Sequence, residues 1–174
     1  MNFKIFGPFT IPTRSISNRS RWLEDGNIRH FWDLLQEENM DLFKACGCYI
    51  FAIKNGKSTK PFYVGKSQKL DFKSEVFTAH KKSIYKEVIP RERGTPVMFF
   101  IARTTANGKF SKPSNNHKDI DFLETLLIGD AIRKNSDLCN IKKTKMLVNL
   151  KVDSYFNSKK KMNSSESIFS KMMS

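Results

Sequence analysis

The stretch CGCYIFAIKNGKSTKPFYVGKS, residues 46–67, decides how the chain is read. It holds two short apolar runs joined by a polar loop. In CYIFAI, alternation puts Cys48, Ile50 and Ala52 on one face and Tyr49, Phe51 and Ile53 on the other. A strand apolar on both faces is central in its sheet and covered on both sides. Asn55-Gly56 is a hairpin signal, and PFYVG returns as the next strand. Each run carries one tyrosine near a glycine, Tyr49 beside Gly47 and Tyr63 beside Gly65. On this stretch alone, the two read equally as core aromatics of a hairpin or as residues placed for chemistry.

Working outward, residues 1–27 mix aromatics with Pro, Arg and Ser and read as an extended arm. From Asn27 to about Lys44, the residues Ile28, Phe31, Trp32, Leu35, Met40 and Phe43 recur at helical spacing, which predicts one helix stopped by Gly47. Beyond the hairpin, a helix is expected from Phe72 to Val88, ended by IPRERGTP. VMFFIAR is a third strand, TTANGKFSKPSNNHKD a polar loop, and residues 119–134 the clearest helix of the chain. From Ile141 onward the chain adds eight lysines against two acids; NSKKKMNSSES reads as flexible, and IFSKMM as one amphipathic turn. The expected fold is α+β, an antiparallel sheet with helices. Residues 1–45 form an arm and helix packing on a core of residues 46–141, followed by a basic extension, 142–174.

Composition narrows the function. The chain has 174 residues, 15 of them Phe, and is 39% hydrophobic, enough for one domain with a real core. A formal charge of +14 and a pI of about 9.8 point to a polyanionic partner, nucleic acid first. That inference is discounted by the Lys- and Asn-rich composition that AT-rich coding produces. Three cysteines, Cys46, Cys48 and Cys139, form no CxxC pair and read as free thiols of a reducing compartment. No apolar window reaches transmembrane or signal-peptide length, so the expectation is a soluble, cytoplasmic protein with no membrane partner and no small-molecule cofactor. HxxxH and CxxC patterns are absent, which argues against zinc.

The strongest physical signal is an acid on a core-facing stripe. At 100° per residue, Glu124 lies amid Ile120, Leu127, Ile128 and Ala131. A charged, unpaired carboxylate there would cost several kcal/mol, so Glu124 needs a lysine partner, a donor network or a water-filled cleft. A Mg²⁺ ion, which takes one or two carboxylates and completes its shell with water and substrate phosphate, is a further partner. On the Phe72–Val88 helix, His80 falls on the face of Val76, Phe77 and Ile84, with Lys73 near the same azimuth. His80 reads as a hydrogen-bonded core histidine or, beside a phosphate cleft, as a donor. Lys73, Lys81, Lys82 and Lys86 read as a solvated basic face or as a track for backbone phosphates.

Taken together, GCYIFAI and FYVGKS resemble the paired signature of the GIY-YIG nuclease superfamily. Gly47-Cys48-Tyr49 stands where Gly-Ile-Tyr is usual, and Tyr63-Val64-Gly65 where Tyr-Ile-Gly is usual. IDFLETLLIGDAIRKNSDLCN is similar to that family's glutamate helix, with Glu124 at the metal-binding position and Asn140 at the following asparagine. The likeness covers roughly residues 46–141, and the flanking FGPFTIP and KPSNNHKDIDFLETLLIG are similar to small bacterial members. The resemblance implies a three-stranded antiparallel sheet flanked by helices, hydrolysing phosphodiester bonds with one Mg²⁺ or Mn²⁺ ion. By it, Tyr49 helps deprotonate the attacking water, Tyr63 hydrogen-bonds the phosphate or the water, and Glu124 holds the metal. Asn140 supports local structure or contacts phosphate, and Lys66, Lys81 and Lys82 contact nucleic acid, DNA above all. A free tyrosine titrates near pH ~10, so Tyr49 needs a cation nearby, for which Lys66 and Lys73 are the candidates.

One position departs from the pattern. The family's helix arginine, about eight residues past the second glycine, falls here on Lys73, or on Val76 if His80 is aligned with the family histidine. Lysine supplies charge without the bidentate fork of arginine. Arg91, Arg93 and Arg103 are the arginines that could substitute from elsewhere. The expected function is a metal-dependent endonuclease; the alternative is a degenerate relative that binds nucleic acid without cutting it.

Overall fold

The computed structural model describes residues 2–17, 20–140, 144, 145, 147, 149 and 163–173. The chain divides into two compact units, Met1–Cys139 and Asn140–Ser174. The first is an α+β unit. Its strands are β1 (Asn2–Thr10), β2 (Arg14–Ser17), β3 (Ser20–Trp22), β4 (Gly47–Asn55), β5 (Ser58–Ser67) and β6 (Thr95–Thr104). Its helices are α1 (Asp25–Glu38), α2 (Phe72–Glu75), α3 (Ala79–Arg91) and α4 (Lys118–Lys134). The second unit contains α5 (Ser164–Met173), with Ile168 and Met172 exposed, so the expected single turn is a longer helix. Of the basic stretch NSKKKMNSSES, the part before Asn163 lies outside the described residues.

The main sheet runs β1-β6-β4-β5, with every neighbouring pair antiparallel. It therefore has four strands rather than three, because the N-terminal arm zips onto β6. The register shifts between Phe6 and Phe9, around Gly7-Pro8, and an edge strand accommodates a proline at such a bulge. As the two-faced apolar pattern predicts, β4 is internal. The hairpin turns at Gly56-Lys57, between paired Asn55 and Ser58, with Gly56 at φ +57°. β2 and β3 form a separate small ladder. From β3, the Arg21 guanidinium donates to the carbonyls of Ile89 (3.2 Å), Glu92 (2.6 Å) and Gly94, fixing this hairpin to the end of α3.

Two cores flank the sheet. Tyr49, Phe51 and Ile53 enter the larger one, with Phe31, Trp32 and Leu35 of α1, Phe72 of α2, and Tyr85, Val88 and Ile89 of α3. On the opposite face, Cys46, Cys48 and Ile101 meet Ile120 of α4, flanked by Ile50, Leu123 and Leu127. Buried thiols in both positions match the free-cysteine reading.

Two helices differ from expectation. The first ends at Glu38, where Asn39 turns extended (φ −153°, ψ 94°), and a separate 3-10 turn covers Leu42–Lys44. Met40, assigned to the apolar stripe, is exposed. The expected Phe72–Val88 helix is two helices. Asp71 caps the first by accepting from Ser74 N at 2.8 Å, and Thr78, extended at ψ 161°, opens the second. The break at residues 76–78 abolishes the shared azimuth of Lys73 and His80. Both are exposed, and the lysine that turns inward is Lys81.

Candidate active site

The two tyrosines of the hairpin come together because β4 and β5 pair Tyr49 with Gly65 and Phe51 with Tyr63, so all four share one face. The Tyr49 ring lies across Gly65. A Cβ on residue 65 would come within 2.7 Å of Tyr49 Cε2 and closer still to Cζ and Oη. Gly47 is required for another reason. It has φ +151°, and a Cβ there would press on the Ile101 carbonyl and stand 3.1 Å from Ala102 Cα. Both motif glycines thus have steric causes. Past Tyr63 the register slips, with Ala52 opposite Pro61, and Phe62 is the additional residue. This bulge puts Phe62 and Tyr63 in succession against the same core cluster.

A third tyrosine, not anticipated from the sequence, completes the group. Tyr85 of α3 stacks on Phe51 (4.5 Å between centroids) and meets Tyr63 edge-on at 6.3 Å, the same distance that separates Tyr49 from Tyr63. Tyr85 donates its hydroxyl to the Val76 carbonyl at 3.1 Å. Tyr49 is fully buried, and its Oη meets no partner at full hydrogen-bonding geometry among the described residues. Its hydroxyl favours the ionised form of Tyr63. Tyr63 is half-buried.

The electrostatics keep all three phenols neutral. Burial, then the charges of Glu124 and Glu75, push Tyr63 up to about 12 despite the opposing Tyr49 hydroxyl. Burial dominates for Tyr49 as well, followed by Tyr85, Tyr63, Glu75 and Glu124, and holds it far above the usual phenol range. Tyr85 is raised by burial, Tyr63 and Glu75. Bringing Tyr63 from about 12 to near-neutral pH would require roughly 6 kcal/mol. No lysine supplies it, since Lys66 and Lys81 are each tied to carboxylates.

Glu124 is the acid the helical stripe singles out, and its side chain is only 12% exposed. Although α4 covers the face opposite the tyrosines, it packs chiefly along edge strand β5. From there the Glu124 charge acts on Tyr49 and Tyr63 alike. Lys66 lies 3.7 Å from Glu124 and forms a closer ion pair with Asp121, one turn earlier on α4. The second carboxylate, Glu75, pairs with Lys81.

The remaining sequence candidates lie elsewhere. Lys73 stands over the Phe43 ring at 5.2 Å, a cation–π contact outside the tyrosine group. His80 is exposed in the first turn of α3, and Lys82 pairs with Asp25 at 3.0 Å. Asn140 is the first residue of the second unit. Bonds of the kind expected of it are made by buried Asn135, which donates Nδ2 to the Pro61 carbonyl at 2.7 Å and accepts from Asp137 N at 3.0 Å. Of the alternative arginines, Arg103 donates to Asp119 (2.6 Å) and Ser111 Oγ (2.9 Å), and Arg91 pairs with Glu87 and Glu92.

Among the described residues no group of three or more His, Cys, Asp and Glu side chains gathers to hold a metal. Glu124 and Glu75 are the carboxylates whose charges reach the tyrosines; a hard cation held by one or two carboxylates would complete its shell with water. Comparison of the chain with protein-family models, with curated proteins and with solved structures finds no match.

Proposed function

We propose that the chain is a metal-dependent endonuclease hydrolysing phosphodiester bonds in DNA through a GIY-YIG-type site. The observation that carries this reading is that Glu124, on a helix against the far face of the sheet, still acts on both hairpin tyrosines. Two phenols from β4 and β5 and a nearly buried carboxylate from α4 thus act on one another electrostatically, and perturbed ionisable groups of this kind cluster at functional sites. In this reading Tyr63, the accessible phenol, hydrogen-bonds the phosphate or the attacking water. Tyr49 is sealed beneath it and orients its hydroxyl. Glu124 would hold Mg²⁺ or Mn²⁺, which when bound supplies positive charge against the leaving 3′ oxygen. The charge of +14 draws the polyanion in.

The test is plasmid cleavage with Mg²⁺ against EDTA, run beside Glu124→Ala. The reading expects nicking or linearisation that needs the metal and Glu124. Cleavage surviving either removal would overturn the single-metal assignment. The alternative, a relative that binds nucleic acid without cutting, is favoured by one observation: the slot expected to hold an arginine is an exposed lysine over Phe43. It expects salt-steep DNA binding that ignores both metal and Tyr49→Phe.

A further inference from the structure

We propose that Lys81, held in place by Glu75, is the cation that meets the phosphate group at the tyrosine site. This inference rests on the nuclease reading and deepens it. Lys81 is the one lysine or arginine buried among the described residues of a chain that has 31 of them. Its side chain is 11% exposed, and its ammonium donates to the Glu75 carboxylate and, at 3.0 Å, to the Glu75 carbonyl. A helix end can be capped by a lysine whose ammonium stays in water; sinking it adds a desolvation penalty.

The surroundings explain what is gained. The chain leaves α2 at Glu75, and two successive carbonyls there are taken by groups from α3, Glu75 O by Lys81 and Val76 O by Tyr85. Tyr85 contacts Tyr63 edge-on, and Phe72, at the start of α2, contacts Tyr49 edge-on at 6.5 Å. The ammonium is therefore anchored one carbonyl away from the tyrosine group, with a carboxylate beside it. Lys66 and Lys82 are held by acids on other elements, Asp121 and Glu124 of α4 and Asp25 of α1. Lys81 is the phosphate-charge residue in this arrangement, and Glu75 its positioning residue.

The experiment compares wild type with Lys81→Met, Lys81→Arg and Glu75→Gln in two arms. In single-turnover DNA cleavage with saturating Mg²⁺, Lys81→Met should lose ~100-fold or more in rate, the scale of removing one donor to a charged transition state. Apparent substrate affinity should change by only a few-fold, and Lys81→Arg should recover much of the rate. In metal-free binding of a short DNA duplex, Lys81→Met should flatten the salt dependence by about one ion, and Lys81→Arg should not. Glu75→Gln, which keeps the ammonium, should retain binding while losing cleavage. Melting curves accompany each variant. If Lys81→Met and Glu75→Gln only lower the melting temperature, leaving rate and salt slope as in wild type, Lys81 is a helix cap and the proposal fails. If wild type never cleaves while the binding arm still distinguishes Met from Arg at residue 81, the nuclease reading fails and the phosphate contact stands.

Discussion

Gly65→Ala tests the geometry of the tyrosine pair without touching a polar group. Gly65 does not occupy the left-handed region, so its backbone accepts alanine, and any penalty must come from the new methyl. That methyl would stand 2.7 Å from Tyr49 Cε2 and nearer still to Cζ and Oη, where carbon atoms normally rest ~3.5–4.0 Å apart. The ring cannot retreat, because it is fully buried with Tyr63 on one side and Phe72 on another. Overpacking of this kind costs ~1–3 kcal/mol, offset by the ~0.5–1 kcal/mol gained when glycine leaves a strand. The expected net loss is ~1 kcal/mol, or roughly 3–5 °C in Tm for a unit of this size. Urea unfolding of Gly65→Ala in the wild-type and Tyr49→Leu backgrounds measures it. In the second background the offending ring atoms are gone, so the same change should stabilise by ~0.5–1 kcal/mol, giving a coupling of at least ~1 kcal/mol. Equal cost in both backgrounds would refute the reasoning.

Alkaline titration should reveal the buried phenols. An acid whose folded pKa is raised contributes no pH dependence below its unfolded value near 10; above it, the unfolded state loses its proton first and stability falls. Tyr63, at about 12, should alone remove ~2–3 kcal/mol between these values, with Tyr49 and Tyr85 extending the loss. Phenolate absorbance should therefore rise together with unfolding for these three residues, and a smooth titration near pH ~10 of all four tyrosines in the chain would contradict their burial. Tyr85→Phe deletes the bond to the Val76 carbonyl and should cost ~1–2 kcal/mol by urea unfolding. It should also loosen the α2–α3 junction, read as faster amide exchange at residues 76–78.

The sheet centre was legible because its signals are local. A run apolar on both faces marked an inner strand, and Asn55-Gly56 marked the turn, which falls one residue on at Gly56-Lys57. The last helix carried its own periodicity, and Glu124 stood out against it. The fourth strand was not legible: Gly7-Pro8 speaks against a strand unless that strand is an edge with a bulge, and only the partner β6 supplies that context. Val76-Phe77-Thr78 hid the break between α2 and α3, since its apolar residues continue the helical pattern while Thr78 in fact caps the next helix. Everything that depends on that break was hidden with it. Tyr85, Glu75 and the inward turn of Lys81 follow from where two short helices meet, and no periodicity within either one announces it.

The bulge at Phe62 has a bearing on how this sheet can meet other molecules. An edge strand ordinarily offers its outer row of carbonyls and amides to any passing strand, which is how sheets grow into dimers and fibrils. Along Pro61–Phe62 of β5 that row is already occupied: Pro61 has no amide to give, its carbonyl accepts from Asn135, and the Phe62 carbonyl accepts from Cys139 N at 2.8 Å. The same few residues that aim Tyr63 therefore also seal the edge beside it. Molecules approaching along Pro61–Phe62 therefore meet side chains rather than an open ladder.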